Sequence, residues 1–204
     1  MKPHIFFIIL TALCVCSCEK KSTNEDGWPP YGISYSPLVA FIDQDGNDLS
    51  SKVRLEEKDG SPNADKSYSL MNEGYALRCY VDGQEFRNGD VSETLMGPAP
   101  VKIAISGYKP EGSRYVFFRL DFFQYWMPLD EYVKGDIHKF EYRFTLPSIL
   151  GAGENVLTIE SVPQEFHYGK VKTARFNDQE LPECDGRDYG FSASNGEHYF
   201  VITL

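Results

Sequence analysis

His138-Lys-Phe-Glu-Tyr-Arg-Phe-Thr-Leu146 decides the fold class. Phe140, Tyr142, Phe144 and Leu146 fall on one side of an alternating pattern, and Lys139, Glu141, Arg143 and Thr145 on the other. Successive side chains of a strand point to opposite faces, so this period of two predicts a strand with one buried and one wet face. A helix would need apolar residues three and four apart, and no stretch of the chain holds that spacing over three turns. Any helix is therefore short, and 129–133 and 147–150 are the places for one.

The same reading extends outward. Runs rich in β-branched and aromatic residues at 37–42, 52–56, 75–81, 84–87, 101–105, 115–123, 156–160, 171–176 and 199–204 predict further strands. Asp-Gly or Asn-Gly pairs at 45–46, 59–60, 82–83, 88–89, 185–186 and 195–196 supply the positive-φ residues of tight hairpins. About nine strands with no intervening helices predict an all-β chain, an antiparallel β-sandwich with Greek-key connections. One domain over residues 35–204 is expected, with 107–114 (GYKPEGSR) as the place where two smaller sandwiches would divide.

The N-terminus carries an address. Lys2 and His4 lead into the apolar run Ile5–Val15, then Cys16-Ser17-Cys18 and the polar Glu19-Lys20-Lys21-Ser22. Eleven residues are too few to cross a bilayer core, which needs ~20 in a helix, so this reads as a secretory signal. Val15-Cys16-Ser17-Cys18 resembles the lipobox of bacterial lipoproteins, with small Ser17 before the modified cysteine and Val15 three before it. The resemblance implies cleavage after residue 17 and a lipid on Cys18. Cys16 departs from the usual small non-thiol residue. Residues 18–34, polar and then rich in Pro and Gly, read as a flexible tether to the folded body.

Cleavage would remove only Lys2 among charged residues, leaving 19 basic against 30 acidic and a net charge of −11. Such a surface disfavours nucleic acid and anionic membranes as partners. Two cysteines remain in the body, Cys79 and Cys184. A disulfide between them and two separate thiols both fit an exported protein.

Few segments have the residues of a reaction site. Asp43-Gln-Asp-Gly-Asn-Asp48 gathers carboxylates around a glycine, but it lies between strand-like flanks and lacks the late bidentate Glu of an EF-hand. Its surroundings, Leu38–Leu49, resemble the opening hairpin of transthyretin-like sandwich domains in bacterial surface lipoproteins. Pro182-Glu-Cys-Asp-Gly-Arg-Asp188 is similar to the carboxylate cluster of some jelly-roll glycosidases, which makes Glu183 and Asp185 the candidate catalytic pair. Pro182 and Gly186 place that pair in a loop, where a solvated acidic turn is the simpler reading. His138, His167 and His198 have no metal-ligand spacing, and no glycine-rich phosphate loop or other cofactor motif is present. The aromatic segment Tyr115–Met127 puts Val116, Phe118, Leu120 and Phe122 on a core face. Phe117, Phe123, Tyr125 and Trp126 are then candidates to stack on a sugar or meet a protein, unless a crossing loop covers them.

Lipobox, acidic body and strands together resemble the small β-sandwich lipoproteins of gut bacteroidete bacteria. That likeness implies an immunoglobulin-like or transthyretin-like sandwich, held by its lipid at the outer membrane of a Gram-negative cell and facing either the periplasm or the outside. It implies a non-catalytic binding or assembly module for a glycan or an envelope protein. The alternative is a small extracytoplasmic glycoside hydrolase using Glu183 and Asp185.

Overall fold

The alternation at 138–146 becomes one strand of a two-sheet sandwich. The computed structural model describes residues 36–58, 65–71, 74–92, 99–123, 137–164, 167–192 and 197–204. Its strands are β1 (Leu38–Ile42), β2 (Leu55–Glu57), β3 (Lys66–Leu70), β4 (Ala76–Val81), β5 (Gln84–Phe86), β6 (Val91–Ser92), β7 (Ala99–Pro100), β8 (Lys102–Lys109), β9 (Phe117–Phe123), β10 (His138–Leu146), β11 (Gly151–Gln164), β12 (His167–Phe176), β13 (Gln179–Glu180) and β14 (Tyr199–Thr203). One helical turn, α1 (Pro147–Leu150), begins with proline at a position where its missing N–H is harmless. The other helix site, 129–133, lies outside the described residues.

Sheet I has the strand order β14-β1-β9-β8-β3-β2, and sheet II the order β13-β12-β11-β10-β4-β5. β6 and β7 form a separate ribbon. Neighbours are antiparallel except β1 and β14, which run parallel with Leu38 opposite Tyr199. The core fills the space between the sheets. Val39, Phe41, Phe118, Leu120, Phe122, Phe200 and Ile202 project from sheet I, and Cys79, Phe140, Tyr142, Phe144, Leu157, Ile159 and Phe176 from sheet II. Phe41 reaches across to Phe144 and Phe176, with ring centroids 6.5 and 6.1 Å apart. Each such side chain contributes roughly 1.5–3 kcal/mol on leaving water. On the wet face of β10, Glu141 accepts from Arg143 Nε at 2.5 Å, and the Arg143 guanidinium lies 4.9 Å from the Tyr80 ring centre.

Two expectations are corrected, and one alternative left open is decided. Segment 107–114 does not divide two sandwiches: it joins β8 to β9, which pair from Lys102 opposite Phe123 to Tyr108 opposite Phe117. The strand expected over 52–56 starts only at Leu55, because Asp48 accepts from the Ser50 N–H and caps a 3₁₀ turn over Leu49–Lys52. Cys79 and Cys184 are separate thiols. β4 turns Cys79 into the inter-sheet core, while Cys184 packs on the opposite, outer face of sheet I, so sheet I lies between them.

Candidate functional site

Both sequence candidates, the aromatic face and the acidic loop, meet at one edge of the sandwich. β12 turns into β13 through Asn177 and Asp178, with φ of +46° and +66°. These residues tolerate the left-handed region, and two of them in sequence make the hairpin turn that matches strand twist. β13 pairs only through Arg175–Glu180 and Phe176–Gln179, followed by a bond from the Leu181 N–H to the Ala174 carbonyl at 2.9 Å. Pro182, with no N–H to donate, ends the ladder. The chain then crosses to the other sheet, where the Cys184 N–H donates to the Tyr199 carbonyl at 2.8 Å.

This divergence opens a groove of about 540 Å3 between Val171–Ala174 on β12 and Glu180–Glu183. Val171, Leu181 and Pro182 give it apolar walls, and Lys172, Thr173, Glu180 and Glu183 give it polar ones. Glu183 is fixed in place: its Oε1 lies 2.5 Å from Nδ1 of His198, a side chain only 11% exposed.

Beyond the groove, Asp185 accepts from the Arg187 backbone N–H and from Nε and Nη2 of its guanidinium, capping a 3₁₀ turn over Gly186–Tyr189. The Arg187 hydrogen bond holds the Asp185 carboxyl below the usual carboxylate value. A catalytic acid would need the opposite shift. Glu183 and Asp185 are therefore turned to different partners, one to a histidine and the other to an arginine two residues on.

The loop ends by burying the aromatic face. Phe117 is fully buried, with its ring centre 5.4 Å from Phe191 and 5.0 Å from Tyr199. Gly186 permits this packing: a Cβ there would sit 2.6 Å from the Phe191 ring. The expectation that Phe117 meets a ligand is thus corrected, because the acidic loop is the cover. The Phe123 side chain, Tyr125, Trp126 and the lipidation site Cys18 lie outside what the structure describes.

The remaining sequence candidates are structural. Asp43 accepts from the N–H groups of Asp45 and Asn47 and from the Asn47 side chain, while Asp48 also accepts from the Val116 N–H. These carboxylates hold their own hairpin. Among the described residues no group of three or more His, Cys, Asp or Glu is placed to hold a metal, and no helix is long and apolar enough to cross a membrane. His138 Nδ1 lies 2.8 Å from Asp82, whose other oxygen accepts from the Lys139 N–H.

Sequence reasoning missed two features. One is the groove, whose β12 wall carries a bulge that the pattern of 171–176 conceals. The other is Asp121, 3% exposed on the outer face of sheet I. Ser106 Oγ donates to its Oδ2 at 2.7 Å, and Oδ1 is buried with no hydrogen-bond partner among the described residues. Burial pushes this carboxyl up to about 6, against the lowering effects of Ser106, Arg119 and Lys58. A charged residue within an aromatic run was the available signal.

Comparison with protein-family models, with curated proteins and with solved structures finds no match to this chain.

Proposed function

We propose that this chain is a non-catalytic binding or assembly module of the cell envelope, tethered through a lipid on Cys18 to the outer membrane of a Gram-negative bacterium. One observation carries the non-catalytic part: Asp185 is bound by Arg187 with its carboxyl held low, and Glu183 is bound by His198. Hydrolysis of a glycoside needs two carboxyls facing one bond, one of them kept protonated. The anchor rests on Val15-Cys16-Ser17-Cys18 and the polar tether that follows. With Phe117 covered, the groove beside β12 is the surface for contact, and its backbone wall favours a protein over a glycan as partner.

Two measurements test this reading. Cys18→Ala should move the protein from the membrane to the soluble fraction of cells. A glycoside hydrolysis screen should show no turnover that depends on Glu183 and Asp185. Unchanged membrane retention would remove the anchor, and turnover abolished by Glu183→Gln/Asp185→Asn would make the protein an enzyme.

A further inference from the structure

We propose that the edge of β12 takes up an extended, carboxylate-bearing polypeptide segment as an added strand beside Val171–Thr173; this rests on the binding-module reading. β13 matches β12 only as far as Ala174, where Pro182 turns the chain away. The groove therefore occupies the position that a longer β13 would fill, and one of its walls is the edge of the sheet. Among the described residues no strand pairs with Lys170–Thr173 on that side.

A second observation falls on the same residues. Register on β11 passes from Glu160 opposite Thr173 to Ser161 opposite Val171, so Lys172 is the extra residue of a bulge and has no cross-strand partner. Bulges free backbone groups from the ladder and re-aim side chains at strand edges. Main-chain bonds from an entering segment would supply affinity, and alternate side chains the selectivity.

Charge selects the occupant. Lys170 and Lys172 are both exposed along the β12 edge, and neither has an ion pair among the described residues. Glu180 and Glu183 lie on the facing wall of the groove, so an entering segment would turn its carboxylates toward β12. Lysines on an edge strand discourage indiscriminate pairing, and the same two charges favour a segment with carboxylates at alternating positions. A second copy of the chain fits poorly. Antiparallel pairing of two such edges would set lysines against lysines.

The test is selection of displayed random peptides, each about 12 residues, on the immobilised protein. Enriched clones should carry acidic residues two apart and bind Lys170→Glu/Lys172→Glu more than ~10-fold more weakly. Replacing the peptide carboxylates by lysines should restore binding to that variant. Lys102→Glu/Lys109→Glu, an equal charge change on β8, should leave binding unchanged. Thermal unfolding of each variant establishes that it is folded. No enrichment, equal binding to Lys170→Glu/Lys172→Glu, or equal loss with the β8 variant would overturn the proposal.

A photo-crosslinking residue introduced in cells in place of Lys172 or of Arg87 separates the two levels. Envelope proteins captured from Arg87 alone would overturn the groove and leave the module reading standing. Capture from neither position would count against both.

Discussion

Replacing Asp121 by Asn should make this protein more stable at neutral pH than at pH 4, relative to wild type. The carboxyl is almost fully buried, has one oxygen without a partner among the described residues, and is pushed up to about 6 from 3.8. The folded state therefore binds this proton more tightly than the unfolded chain does. Stability from that proton is fully present below about 3.8 and is lost as pH rises through about 6. Each pKa unit corresponds to about 1.4 kcal/mol, so the ionised carboxylate costs the fold about 3 kcal/mol above pH 7. Asn keeps a similar shape and an oxygen for Ser106, but does not titrate. Both proteins share every other carboxylate, so the common acid response cancels in their difference. Urea unfolding at pH 4, 5, 6 and 7.5 measures it. The variant's advantage should widen by about 2 kcal/mol from pH 4 to 7.5. A difference that stays flat across that range would refute the reasoning and mean that Asp121 ionises in the fold as freely as in the unfolded chain.

Phe117→Ala should destabilise the fold by about 3–5 kcal/mol, read from denaturant midpoints, because it opens a cavity beneath Phe191 and Tyr199. Gly186→Ala should cost about 1–3 kcal/mol, since its methyl would meet the Phe191 ring; a variant as stable as wild type would show that the loop shifts freely. A protein of residues 35–204, unreduced and unfolded, should take up two equivalents of iodoacetamide by mass, as expected for two free thiols in Cys79 and Cys184. Native protein at pH 8 should label slowly at both, because burial pushes the Cys79 thiol upward and the Cys184 thiol up to about 12.

The sandwich was legible where the physics is local. β10 alternates because one face is core and the other solvent, and Phe140, Tyr142, Phe144 and Leu146 are all buried as the pattern requires. Asp82-Gly83, with φ of +49° and +85°, makes the turn its residue types demand. β13 escaped notice because its turn is Asn177-Asp178, without the glycine that marks such hairpins. β3, Lys66-Ser-Tyr-Ser-Leu70, lacks a run of apolar residues because its outer partners are polar. The parallel pairing of β1 with β14 joins the two ends of the folded body, and no short-range signal encodes it. Asp185-Gly186 looked like a hairpin turn for a different reason. Its glycine is required by the approach of a phenylalanine ring, which only tertiary packing reveals.

That packing also explains why the candidate site lies where it does. β9 is aromatic on both faces, so sheet I needs a cover outside as well as a partner sheet inside. The cover comes from the segment after β13, and to reach Phe117 the chain must leave β12 early. Pro182 releases it, Cys184 ties it to β14, and Phe191 completes the outer cluster. Had β13 continued beside Thr173 and Lys172, the sheet edge would be shielded and Phe117 would face water. Burial of Phe117, worth roughly 1.5–3 kcal/mol, is comparable to the few main-chain bonds given up at about 1 kcal/mol net each, and the given-up groups can bond to water at an open edge. The groove along β12 is thus the counterpart of a covered aromatic face: closing one surface of sheet I leaves the edge of sheet II open.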